Sequence, residues 1–472
     1  MLWFTLISVA LAYVSRPDLD PPALNVTANA GGLDGYIFLG PYLGTLAQPG
    51  GYIYDFSGEL VWSGHGRISG WAGNIQVTEY QGQTVLQSAD TVFNVAGFGR
   101  GHTKLLSQNY TTLTEIYAGE AHLADFHEFK MVGNDSAVVT MYQPTPVDLS
   151  VIGGPSKGWV FESIFREIDV ISGDTKFEWR ALDHVRLEDT LWPVKTRGNS
   201  STNAFDYFHI NSVDKDGDDY VISSRYYSTV YKIDGKTGDI IWRLVGNQVK
   251  VRSDFAHDFQ FDKQHDARLH NGTTLTIFDN AMNISDVSTA KIISLDQNNR
   301  QATLVASMES PDHLHVYSQG NNQLLADGGS FVNWGSSGAI TKFNSNHEVV
   351  FHATLPEKAQ SYRGFQFDWQ GTSPEAVAVA VDAGKVYVSW NGDTRVTTWT
   401  ITKDDKPVAS APREGFETVL DLNVSGTYKV VGYDKEGQQV GESSEFTVND
   451  DEAKAEVTET DGCPCTTLRQ VR

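Results

Sequence analysis

Short runs of alternating apolar and polar residues, broken by Gly, Asp and Asn, fill most of the chain. A period of two puts successive side chains on opposite faces of a strand. Gly51 to Trp62 is such a strand, a tight turn at Asp55 to Gly58 and a second strand ending in Trp62. Ser163 to Trp179 repeats the plan, and Thr229 to Trp242 repeats it most clearly, with Asp234-Gly235-Lys236-Thr237-Gly238 between its strands. Weaker copies centre on Gln108, Asp296 and Asn344. The copies recur every 50–65 residues or so, which fits four-stranded antiparallel blades better than βαβ units. Spacing alone leaves six or seven blades open, since a further anchor lies near Lys403.

After Trp399 the strands shorten. Gly415 to Leu422, Gly426 to Tyr433 and Phe446 to Val448 read as sandwich strands. The predicted organisation is residues 1–12 as a signal peptide, 13–34 as an N-terminal segment and 35–402 as a β-propeller. Residues 403–448 follow as an Ig-like β-sandwich module, which the stretch around Leu24 to Thr27 is expected to complete, and 449–472 as a disordered acidic tail. The fold class is therefore all-β, and 43 glycines with 11% aromatics agree with it.

The leader is read from Leu2 to Leu11, mostly apolar, followed by the small-x-small site Ala10-Leu11-Ala12, although no Lys or Arg precedes it. Asn-x-Ser/Thr sequons at Asn25, Asn109, Asn134, Asn199, Asn271, Asn283 and Asn423 point the same way, to a secreted glycoprotein. The only cysteines, Cys463 and Cys465, sit in the tail and cannot staple the core. A net charge of −23 disfavours nucleic acid and anionic membranes as partners, and no segment is long and apolar enough for a spanning helix. The oligomeric state stays open.

Two runs carry candidate chemistry. Asp206-Tyr207-Phe208-His209-Ile210-Asn211-Ser212 places His209 at an inner strand, and Gln264-His265-Asp266-Ala267-Arg268 places His265 and Arg268 in another. Strand alternation turns His265 and Asp266 to opposite faces, so Asp266 is free to pair with Arg268. Later segments gather amides and aromatics: Ser318-Gln319-Gly320-Asn321, Asn333-Trp334-Gly335, Tyr362 to Trp369 and Tyr387 to Gly392. A channel lined by these would hold a flat organic molecule by stacking, with amides fixing its orientation. There is no G-x-S-x-G elbow, H-E-x-x-H or phosphate loop, and the reading includes no metal and no cofactor.

Taken together, Phe208 to Ser212, Ile241 to Leu244, Gln264 to Arg268, Phe278 to Ala281, Ser318 to Asn321, Tyr362 to Trp369 and Tyr387 to Gly392 resemble the secreted arylsulfotransferase-like family. The resemblance implies six blades and a ligand in the central channel. It implies His209, His265 and Arg268 as catalytic residues. Asn211, Arg225, Gln319, Asn321, Trp334, Tyr362, Arg363, Trp369 and Asn391 become expected substrate-binding residues. In the family's bacterial sulfotransferases a channel histidine accepts the sulfuryl group. The strand where that nucleophile is expected reads Ser330 to Gly335 and contains no histidine, and the arginine expected soon after Phe278-Asp279-Asn280 is missing from the run through Ile284. Sulfuryl transfer needs a nucleophile and cations. The expectation is therefore a different activity known among fungal sulfotransferase-like propellers, an intermolecular hetero-Diels–Alder reaction. It would join a tropolone-type quinone methide to a humulene-type terpene, with aromatic and terpenoid small molecules as partners. Arylsulfate transfer and a non-catalytic binding role are the alternatives.

Overall fold

The computed structural model describes residues 13–68, 71–93, 97–120 and 122–449. The expected signal peptide, the tail beyond Asn449 and both cysteines lie outside these residues. The described residues form strands joined by turns and short 3-10 segments, with no α-helix among them, so none is long and apolar enough to cross a membrane.

The repeated turn works as its composition requires. Asp234 Oδ1 accepts hydrogen bonds from the backbone N–H of Lys236 and Thr237 at 2.9 and 2.8 Å, and Gly238 takes φ +79°. These bonds hold the Asp234 carboxyl below its ordinary range. Asp55, Asp169, Asp296 and Asn344 accept backbone N–H groups in the same fashion. The tryptophan that ends the unit then reaches the following sheet. Trp179 Nε1 donates to Gly238 O at 3.1 Å, and Trp242 Nε1 donates to Gln297 Oε1 at 3.0 Å. A turn that needs Asp and Gly thus also receives the indole that locks two sheets together.

Residues Asp18–Pro374 with Asn391–Thr394 build the larger unit. Among the described residues its antiparallel sheets begin on the innermost strands Gln76–Tyr80, Phe129–Val132, Ile210–Asp216, His265–His270, Asn321–Leu324 and Gln360–Phe367. Each innermost strand packs against the next, and Gln360–Phe367 packs against Gln76–Tyr80, so the circuit closes as a β-propeller. The first sheet joins Gln360–Phe367 to the early strands Tyr36–Tyr42, Tyr52–Tyr54 and Leu60–Ser63. Apolar residues fill the spaces between sheets; Phe165, Trp179, Phe208 and Tyr220 are fully or nearly buried in one such layer.

The second unit comprises Tyr13–Pro17, Glu375–Trp390 and Arg395 onward. Ala378–Asp382, Lys385–Ser389 and Glu417–Asp421 make one antiparallel sheet. Thr398–Lys403, Lys406–Pro412, Gly426–Tyr433 and Gln439–Glu442 make another, and Val386, Trp399, Ile401 and Val430 lie buried in one core cluster. The unit starts before residue 403, because the hairpin of residues 378–389 pairs with Glu417–Asp421; sequence alone places it in the propeller, since it alternates just as propeller strands do. Nor does Leu24 to Thr27 complete this unit: Asn25–Asn29 pairs with Val349–Thr354 of the propeller.

Candidate functional site

Three consecutive sheets present a histidine at the same end of the innermost strand. His127 lies just before Phe129–Val132, His209 just before Ile210–Asp216, and His265 opens His265–His270. His209 has φ +56° and Gln319, before the next inner strand, has φ +69°. Non-glycine residues in this left-handed region cost energy and are held there by their surroundings. All four side chains line one cavity of about 160 Å³, together with Arg225, Tyr226, Tyr362 and Phe126.

The histidines are held differently. His127 Nδ1 bonds Asp125 Oδ2 at 2.5 Å, and that oxygen also accepts the His127 N–H at 2.8 Å. Asp125 Oδ1 accepts the Gly99 N–H at 2.8 Å, so the carboxylate is fixed on both sides. His209 Nδ1 bonds Asp206 Oδ2 at 2.6 Å. The two imidazoles meet edge to face, with ring centroids 4.8 Å apart. Neither Nε2 has a hydrogen-bond partner among the described residues. His265 is committed on both nitrogens: Nδ1 lies 2.6 Å from Asn280 Oδ1, and Nε2 accepts the Gln319 N–H at 3.2 Å. Its proton therefore sits on Nδ1, and it anchors the Gln319 loop.

Burial sets the protonation. It drives His209 and His265 well below the ordinary histidine range, with His127 and Arg225 respectively adding to the effect. Burial also pushes Asp206 up to about 8, although His127, Arg225 and Arg197 pull the other way. Below that pH the Asp206–His209 pair carries one proton more than carboxylate plus neutral imidazole. Wherever the shared proton resides, Nε2 of His209 then bears hydrogen and points a donor outward. His127 offers the complement: with Nδ1–H donated to Asp125, its Nε2 has a free lone pair.

Behind this layer lies an ionic cluster. Arg363 donates to Glu128 at 3.0 and 3.3 Å and its Nε lies 3.2 Å from Asp266; Arg268 Nη2 lies 2.6 Å from both carboxylates. Burial alone would raise Glu128, but Arg268 and Arg363 outweigh it and hold the carboxyl low. Arg268 borders a separate cavity of about 150 Å³ beyond the cluster, so it is tied to Asp266 and Glu128 and does not line the histidine cavity.

The expected substrate-binding residues divide accordingly. Arg225, Gln319 and Tyr362 line the cavity. Asn211 stands behind it, its carbonyl accepting from Arg363 at 3.0 Å. Asn321 exchanges hydrogen bonds with Gly364, Asn391 with Ser63, and both brace backbone. Trp334 donates to Thr341 and packs on Phe278, while Trp369 donates to Tyr110. These aromatics fill the layers between sheets, as buried indoles with a satisfied N–H do. His127 and its partner Asp125 were not singled out in the sequence. The signal was the pair Phe126-His127 just before an inner strand, matching Phe208-His209.

The arylsulfotransferase (ASST) family profile matches residues 76–355, a span that contains all three histidines. No curated protein matches the chain. Among solved structures, a Bacteroides caccae protein of unknown function is 10% identical over 71% of this chain and 99% of its own, with a TM-score of 0.42. The β-propeller domain of Myceliophteria thermophila Cps50 (Swd1) is 11% identical over 78% of this chain and 94% of its own, with a TM-score of 0.31.

Proposed function

Because this chain belongs to the arylsulfotransferase family, we propose that it transfers a sulfuryl group between aromatic hydroxyls, with His127 as the nucleophile. The carrying observation is the Asp125-backed His127, whose unpartnered Nε2 shares a cavity with a second histidine and with aromatic walls. Its presence meets the requirement for a nucleophile, which the sequence reading found missing at Ser330 to Gly335. Asp125 fixes the tautomer and stabilises the positive charge that grows on the imidazole as it attacks.

In the proposed reaction His127 Nε2 attacks sulfur of an aryl sulfate, and the sulfur–oxygen bond to the ring breaks. The departing phenolate takes the proton from His209 Nε2. The pair proton settles on His209 Nδ1, leaving Asp206 ionised. A second phenol then gives its proton to His209 Nε2 and attacks sulfur, which restores both histidines. Arg225 is the guanidinium available to sulfuryl oxygens, since the Gln319 amide donates instead to Gln360 at 2.9 Å. Tyr226, Tyr362 and Phe126 wall the space for the ring. In this reading the propeller has six blades, the smaller unit is Ig-like, and the protein is a secreted glycoprotein. All seven sequon asparagines are exposed, which supports the last point.

One observation favours a second reading. Arg268 and Arg363 are spent on Glu128 and Asp266, so Arg225 is the only guanidinium on the cavity wall among the described residues. A cavity so poor in charge also suits neutral reactants. The cofactor-independent cycloaddition of a tropolone-type quinone methide with a humulene-type terpene needs two partners held in register and a donor to the enone oxygen. His209 Nε2–H would be that donor.

A paired assay on the glycosylated protein separates the two. One arm supplies para-nitrophenyl sulfate with a phenol acceptor, the other a quinone-methide precursor with humulene. Sulfuryl transfer predicts phenol release and a sulfonated peptide carrying His127, both lost in His127→Ala. A stereodefined adduct without sulfonated His127 overturns it in favour of cycloaddition.

A further inference from the structure

A second cavity of about 340 Å³ adjoins the histidine cavity through Tyr226, which lines both. Its wall comes from the long connection between Thr175–Arg180 and Ile210–Asp216, and includes Trp192, Arg197 and Asp206. Trp192 and Tyr226 stack in parallel, 4.9 Å apart and 6° from coplanar.

Three cations converge on this aromatic pair. Arg197 lies 5.3 Å and Lys263 Nζ 4.7 Å from the Trp192 ring centroid, and Arg225 lies 5.1 Å from that of Tyr226. Lys263 is only 5% exposed, yet its Nζ has neither a hydrogen bond nor an ion pair among the described residues. Nη1 of Arg197 is buried and likewise unpartnered. The Arg225 side chain donates to Tyr317 O at 2.8 Å and has no ion pair among the described residues. Burial and the charge of Arg225 hold Lys263 below its ordinary range. Two carboxyls face the group. Asp206 shares one extra proton with His209 up to about pH 8, with Oδ2 on His209 and Oδ1 unpartnered. Asp262 is taken by Ser228 and Asn283. In a chain of net charge −23, three cations that have no ion pair among the described residues mark a place for an anion from outside.

We propose that this second cavity docks an aromatic anion. The ring lies along the Trp192–Tyr226 wall, and an acid group remote from the reacting oxygen is held by Arg197, with Lys263 adding its charge from beside the Trp192 ring. The site deepens the sulfuryl-transfer reading and rests on it: the aryl substrate carries a second, anionic substituent, a carboxylate or sulfate, and reaches past Tyr226 to His209.

Titration calorimetry on the full glycosylated chain tests this without turnover, using naphthoate and the uncharged naphthol of the same ring size. Naphthoate is expected to bind at least about tenfold more tightly, the scale of a charge-assisted contact. Arg197→Gln with Lys263→Gln removes that preference while naphthol binding persists. Arg197→Lys alone, which keeps the charge, retains it. Trp192→Ala weakens both ligands. Equal affinity in the unaltered protein, or a preference that survives the double substitution in a protein with unchanged melting, overturns the proposal. Naphthoate preference without sulfuryl transfer sinks the transfer reading and leaves the anion site standing. Transfer without that preference does the reverse.

Discussion

Asp125→Asn and Asp125→Ala should differ in effect, and the carboxylate's surroundings say by how much. Oδ2 receives His127 Nδ1, the His127 N–H and, at 3.4 Å, the Thr140 hydroxyl, whereas Oδ1 receives only the Gly99 N–H. An asparagine oxygen therefore takes the Oδ2 place, where three donors converge, and its NH₂ group faces Gly99. The His127 tautomer survives; what is lost is the negative charge opposite the growing imidazolium, which slows the reaction, and the acceptor for the Gly99 N–H, which lowers the melting temperature. A hydrogen bond to a charged group contributes about 1.5–3 kcal/mol and a neutral one about 0.5–1.5. The difference of about 1–2 kcal/mol is a factor of about 5–30 in rate. Asp125→Ala leaves Nδ1 without an orienting acceptor and should cost about 10⁴-fold, the scale seen when a catalytic histidine loses its carboxylate. Single-turnover release of para-nitrophenol measures both, with thermal melting confirming that each variant is folded. Equal, severe losses would mean that the asparagine sits reversed and donates to Nδ1, which contradicts the hydrogen-bond argument. No loss in either would remove His127 from the chemistry.

Phenol release should fall as pH rises through about 8, because the Asp206–His209 pair then loses the proton that His209 Nε2 must donate. Asp206→Asn, whose amide has no proton to hand to Nδ1, should remove the acid step and hold phenol release at every pH near the low level the unaltered protein shows above about pH 8; an unchanged limb would assign the titration elsewhere. Glu128→Gln should destabilise the protein by about 3–5 kcal/mol in denaturant unfolding, since it leaves Arg268 and Arg363 facing Asp266 alone. Because the folded-state Glu128 is held low, its contribution is present at neutral pH and lost as pH falls through that depressed value. The gap between the unaltered protein and Glu128→Gln should therefore narrow in acid, and a constant gap would refute the ionic origin.

The repeated strand–turn–strand unit was legible because its turn is built from neighbours: Asp234 bonds residues two and three positions along. His209 and His265 were legible because each sits in a run of distinctive composition. The roles of Arg268 and Arg363 were not, since they depend on Glu128, which is 235 positions from Arg363 in the chain. Sequence shows a guanidinium but not the carboxylates that consume its donors. Trp334 and Trp369 mislead for a related reason. An aromatic beside amides looks the same whether it faces a channel or fills the layer between sheets, and only Thr341 and Tyr110 as indole acceptors decide it. His127 escaped because Asp125-Phe126-His127-Glu128 is brief and lacks the His-x-Asn continuation of His209-Ile210-Asn211.

The strand that closes the ring, Gln360–Phe367, also delivers Tyr362 to the cavity and Arg363 to the ionic cluster. A chain still emerging from the ribosome has already made Glu128, Asp266 and Arg268, two acids with a single base between them. Their charges balance only when Arg363 arrives, more than two hundred residues after Glu128. Assembly of the histidine cavity and neutralisation of the axis are thus one event, timed by synthesis of the final strand. A chain cut short before residue 360 would carry an uncompensated carboxylate at its centre, and that open, charged ring is a form a quality-control system can tell apart from the finished protein.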